Sequence, residues 1–280
     1  MNSVIARQED GTIQLTITIP TSDVTEAKRE VTERFAQEIE VSGFRKGKAP
    51  RDVVEQRIDQ QKLQEEVLKY LLPKAYLKAV EDQKLRPIMS PKVQMQKLEE
   101  GNDWIFTAFT CEMPDVQLGV YKTDIAKVTA KSKIIIPGKE PFDTTQGQPK
   151  FEEIVQALLA SAKVTVPAIL LDQEADRLLA QTLDEIKRLG LTLDQYLAST
   201  KRNPEGLRTE YMTKAQDDLK LEFALQKIAQ EEQIIVEEKE IDEAIQKAKD
   251  PNERENLQKN RYLLTSILRQ QKTLDFLRQL

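Results

Sequence analysis

Two kinds of pattern divide the chain. Together they predict an α+β N-terminal domain, with strands flanking helices, and then an all-α C-terminal domain of long helices that form arms. Three observations carry this. Alternating apolar and polar runs stand at both ends of residues 1–115, with helical stripes between them. From residue 151 to 280, apolar residues recur every three or four positions with short breaks. Between these halves lies Pro137-Gly138-Lys139-Glu140-Pro141-Phe142-Asp143-Thr144-Thr145-Gln146-Gly147-Gln148-Pro149, whose Pro, Gly and polar fill mark a linker. The expected domains are therefore 1–115, an extended linker at 116–150, and 151–280.

Val4 to Arg7 and Thr12 to Ile19 read as strands, since Ile13, Leu15, Ile17 and Ile19 alternate with Thr and Gln. Asp10-Gly11 between them is a hairpin turn signal. A helix follows, with Asp23 and Glu26 at capping-box spacing and Ser22 as an alternative cap. Val24, Ala27, Val31, Phe35 and Ile39 form its apolar stripe. Helix resumes at Pro50 or Arg51, and Leu63, Val67, Leu71, Ala75 and Ala79 continue at four-residue spacing. Pro73 is expected to kink or split that run. Val93 to Met95 and Trp104 to Glu112 read as a strand pair around Gly101-Asn102. Val116, Leu118 and Val120 read as extended, and Ile125 to Ile136 as a β-rich or irregular connector.

The second half opens with a helix over 151–163, closed by the extended Val164-Thr165-Val166-Pro167. The next runs to Gly190, a C-cap residue. Thr192 with Gln195 caps a short helix to Ser199, and Asn203-Pro204 opens a long one through Ile228. A helix over 237–249 and a final helix past Asp250-Pro251 complete the chain.

Composition narrows the function. His does not occur, which removes Ser-His-Asp and Cys-His pairs and every His-ligated metal site. Cys111 is the one cysteine, so neither an internal disulfide nor a thiolate cluster can form. Neither GxxxxGK[ST] nor GxGxxG occurs, and ATP use and other cofactors are not expected. The N-terminus has no run like a signal peptide, and no stretch reaches the length of a membrane span, so the expected site is the cytoplasm, with no membrane partner. A net charge of -5 argues against a general nucleic-acid binder and leaves room for a local basic loop.

That loop is Val41-Ser42-Gly43-Phe44-Arg45-Lys46-Gly47-Lys48-Ala49-Pro50. Gly43 and Gly47 allow strained backbone, and Pro50 stops any preceding helix. One reading is an ordinary polar turn with Phe44 folded back onto the domain. The other is an exposed tip that presses a ring on a partner and holds an anionic surface with Arg45, Lys46 and Lys48. In the helical half, Ile169, Leu178, Tyr211, Met212 and Phe223 are either core or a soft surface for other chains.

Gly43 to Pro50 resembles the ribosome-docking signature of the trigger factor family, bacterial chaperones at the nascent-chain exit. A second resemblance is Val164-Thr165-Val166-Pro167-Ala168-Ile169-Leu170-Leu171, similar to the V-x-V-P-x-x-L motif that begins an arm helix in that family. The resemblance implies roles. Residues 1–115 would be a ribosome-binding domain, with Gly43, Phe44, Arg45, Lys46, Gly47, Lys48 and Pro50 as docking residues. Their partners would be large-subunit protein and rRNA at the tunnel exit. Residues 151–280 would cradle unfolded nascent polypeptides, with Ile169, Leu178, Tyr211, Met212 and Phe223 among the contacts, and a homodimer of the free protein stays open. Members of the family usually carry a peptidyl-prolyl isomerase domain between these parts, and about thirty residues are too few for one. The expectation is a chaperone without enzyme activity. A folding enzyme of the isomerase type and an exported chaperone of the SurA type are the alternatives.

Overall fold

Alternation in the first strands becomes a sheet with one buried face. The computed structural model describes residues 1–38, 59–132, 151–248 and 250–280. Its contacts separate two compact units: Met1–Met113 with Pro167–Leu170, and Pro114–Val166 with Leu171–Leu280.

In the first unit, β1 (Asn2–Arg7) and β2 (Thr12–Ile19) form the expected hairpin. Its turn needs the left-handed backbone of Gly11, at φ 87°. With β3 (Lys92–Lys97) and β4 (Trp104–Cys111) they make an antiparallel sheet in the order β1-β2-β4-β3. The register sets Leu15 opposite Ala108 and Ile17 opposite Phe106, so these four buried side chains share one face. That face packs against α1 (Thr21–Glu38) and α2 (Gln60–Asp82). Leu63, Val67, Leu71, Ala75 and Ala79 are all buried, as their spacing predicts.

Helix entry differs from the sequence reading. α1 starts at Thr21, ahead of the Asp23–Glu26 box. A distant residue supplies its cap: the Thr21 N–H and hydroxyl donate to Asp103 at 2.8 and 2.9 Å. Local spacing cannot reveal a cap that arrives from the β3–β4 turn. Asp59 caps α2 by accepting from the Gln61 N–H at 2.9 Å. Pro73 neither breaks nor splits α2, and its ring is exposed, so the missing N–H falls on the solvent side.

The second unit holds one correction. Residues 121–132, within the expected extended linker and β-rich connector, form helix α3 (Tyr121–Ser132). Tyr121, Ile125 and Thr129 lie four apart and are buried, so a helical stripe outweighs the strand preference of the β-branched residues. Residues 133–150 lie outside the described residues. The stretches expected to be extended at Val116 and Val164 pair as a two-residue ladder, β5 (Val116–Gln117) with β6 (Lys163–Val164), and the other described elements of this unit are helices.

The remaining elements are α4 (Phe151–Ser161), α5 (Ala168–Arg188), α6 (Leu193–Thr200), α7 (Pro204–Glu231), α8 (Glu238–Lys247), α9 (Pro251–Lys259) and α10 (Arg261–Gln279). The Thr192–Gln195 capping box forms as expected, and Asn203 caps α7. Gly190, at φ 73°, ends α5, with the Leu191 N–H bonded to the Ile186 carbonyl. The expected final helix is two helices, broken at Asn260. α5 and α7 pack through Ala175, Leu178 and Ala215. α8, α9 and α10 pack around Val236, Ile241, Ile245 and Leu264. Polar ties nearer the surface add to this packing: the Tyr121 hydroxyl donates to Glu232 at 3.0 Å, and the Lys272 ammonium bonds Glu240 and the Ile235 carbonyl.

Candidate functional site

Gly43, Phe44, Arg45, Lys46, Gly47, Lys48 and Pro50 lie outside the described residues. What flanks them is clear. α1 leads into residues 39–58 and α2, capped by Asp59, leads out. The two helices run side by side in the same direction. Thr21, Val24 and Lys28 of α1 and Gln60, Leu63 and Val67 of α2 line one cleft of about 400 Å³, while Glu30 and Arg34 meet Tyr70 further along.

At that second place four side chains form one array. The Arg34 guanidinium lies 4.7 Å from the centre of the Tyr70 ring, and the Lys74 ammonium 3.7 Å. The Tyr70 hydroxyl donates to Glu30 and accepts from Lys74. At exposed cations such as these, cation–ring contacts contribute about 0.5–1 kcal/mol each.

At the β1–β2 turn, Asp10 accepts from the Thr12 N–H and hydroxyl and from the Ala168 N–H, at 2.8–2.9 Å. Partial burial pushes its carboxyl up, but these hydrogen bonds outweigh that and hold it below the usual carboxylate range. Through them Ala168 meets the hairpin within the first unit, with Pro167 in contact range of Gly11. Cys111 is buried, and burial, with a smaller push from Asp10, raises its thiol to about 11, which makes it inert packing.

The expected client contacts fall in several places. Leu178 and Phe223 are buried, at 7% and 6% exposure. Tyr211 and Met212 are half-buried and pack on the Ala175–Leu178–Ala215 cluster, so Leu178, Tyr211 and Met212 meet inside the α5–α7 pair. Ile169 is half-buried in the first unit.

Exposed apolar residues lie elsewhere. Tyr262 is 91% exposed, and Leu263 and Ile267 follow it on α10. Leu263 lines two clefts, about 320 Å³ between α7 and α10 and about 350 Å³ between α9 and α10. Glu222 edges the first cleft, and burial, reinforced by Glu174, raises its carboxyl above the usual range while Arg177 opposes that shift. Leu189, 75% exposed, with Leu191 and Leu193, surrounds the turn between α5 and α6. A signal existed in the sequence: Tyr262, Leu263, Leu264, Ile267 and Leu268 are too many apolar residues for one helix face. Among the described residues no group of three or more Cys, Asp and Glu could hold a metal, and no helix is long and apolar enough to cross a membrane.

The fold is an α+β head followed along the chain by a helical unit. A solved chain from work on promiscuous substrate recognition in the folding and assembly activities of the trigger factor chaperone matches over 100% of this chain and 99% of its own, with a TM-score of 0.66. At 15% identity that likeness speaks for the fold alone. Sequence carries the assignment further. The profile described as bacterial trigger factor protein matches residues 1–135, and the one described as its C-terminus matches residues 138–279. The trigger factors of Staphylococcus epidermidis and Staphylococcus aureus are 36% and 35% identical over 122 residues, 44% of this chain. Those stretches span 28% of the relatives' own length. The chain belongs to the trigger factor family of bacterial chaperones.

Proposed function

We propose that this chaperone docks beside the ribosomal tunnel exit through the Gly43–Pro50 loop, and shields unfolded nascent segments on the apolar surface of its helical unit without ATP. One observation carries the reading: the docking motif stands between α1 and the Asp59-capped α2 of an α+β head, in a chain of this family. Phe44 suits a shallow apolar spot on a ribosomal protein, and Arg45 and Lys46 suit carboxylates or phosphates. Tyr262, Leu263 and Ile267 with Leu189, Leu191 and Leu193 are the client contacts in this reading, because a side chain must be exposed to meet another chain. Leu178 and Phe223 act there as core. The place of work is the cytoplasm, where ribosomes are.

No prolyl isomerase activity is expected, since the two family profiles leave Ile136 and Pro137 between them. A photo-crosslinker placed at residue 44 tests the docking role. It should capture a large-subunit protein near the exit. Capture of none, with the ribosome in excess, would sink the reading.

A further inference from the structure

α1 leads toward the docking segment, and Glu38 is its last described residue. Whatever fixes the last described turns of α1 fixes the point from which the chain continues toward that segment. The apolar grip there comes from Val31, with Phe35 and Ala36 packed on the head core. Apolar packing sets the rotation of α1, and the Asp103 cap and the Lys28–Glu100 pair hold its N-terminal half. The polar array adds directional contacts further along the helix, toward its C-terminal end. Glu30 and Arg34 lie one turn apart on α1, and Tyr70 and Lys74 one turn apart on α2. A single ring reads both helices: its hydroxyl must meet Glu30 while its face meets Arg34. Sliding α1 by one residue would move it about 1.5 Å along its axis and break both contacts.

We propose that Tyr70 is a positioning residue for ribosome docking, holding the last described turns of α1 in place against α2 on the side from which the chain continues toward the docking segment. This rests on the docking reading above. The inference requires that the ring matters more than its burial. Tyr70→Leu keeps an apolar side chain and removes both the ring and the hydroxyl. Tyr70→Phe keeps the ring beneath Arg34 and loses the bond to Glu30.

Ribosome affinity should fall about tenfold in Tyr70→Leu and about two- to threefold in Tyr70→Phe, by co-sedimentation at fixed salt. Leu85→Ala is the control for stability, because it opens the same head core away from the array. It should lower the unfolding midpoint seen by Trp104 fluorescence more than Tyr70→Leu does, yet bind ribosomes within about twofold of wild type. The slope of affinity against salt should be the same for wild type and Tyr70→Leu, since positioning neutralises no phosphate. A shallower slope would mean direct contact with RNA and would overturn the positioning role. Affinity losses that simply track lost stability would overturn it too. If Tyr70→Leu binds like wild type while Phe44→Ala, Arg45→Ala, Lys46→Ala has lost binding, this inference falls and docking stands. If that triple variant binds like wild type, docking itself falls.

Discussion

Asp10 shows how one side chain ties distant segments of the first unit. Its carboxylate accepts three hydrogen bonds from Thr12 and Ala168, and they hold its ionisation below the usual range. Replacement by Ala should cost the head about 1 kcal/mol near neutral pH, as the loss of a capping side chain does. The sign with pH follows from the lowered value. The contribution is full above the ordinary carboxylate range of about 3.9 and is lost as pH falls through the folded value. The gap between wild type and Asp10→Ala, followed by Trp104 fluorescence, should stay level from pH 7 to 5 and close below about pH 4. A gap that persists into strong acid would contradict this role. Asp10-Gly11 was legible in the sequence as a turn, but the partner from residue 168 was not. The same holds for Asp103, whose service to Thr21 crosses 82 positions. Hydrogen bonds between distant segments leave no local spacing to read.

Helices and strands were more legible than their roles. The stripes of α2 and β2 fell on the buried face because burial repeats with the element's own period. Residues 121–132 misled, since β-branched residues favour strands unless a buried face at helical spacing overrides them. Burial of the expected client contacts was less legible. Leu178 and Phe223 are apolar and helical, but pattern cannot say which apolar positions a neighbouring helix will cover. Leu178→Ala or Phe223→Ala should therefore cost about 2–5 kcal/mol of stability, as buried truncations do. Tyr262→Ser with Leu263→Ser and Ile267→Ser should leave the unfolding midpoint nearly unchanged. That triple variant should also suppress aggregation of an unfolded test protein less well than wild type. Full suppression by it, or collapse of its fold, would remove α10 from the client surface.

At the scale of the whole molecule, two units carry two tasks in the proposed account. Their order was legible because alternation ends near residue 115 and helical spacing dominates from residue 151. The exchange of Pro167–Leu170 into the first unit was not legible, since it is a contact between distant segments and not a pattern. With the family profiles meeting near residue 136, a prolyl cis–trans assay should show no rate above the uncatalysed one. Clear catalysis would restore the enzyme reading. Docking remains the central claim, and ribosome co-sedimentation tests it most directly. Wild-type protein should pellet with ribosomes, less so as salt rises, while Phe44→Ala, Arg45→Ala, Lys46→Ala stays in the supernatant with unchanged helical content. Equal pelleting of the two proteins would contradict the account.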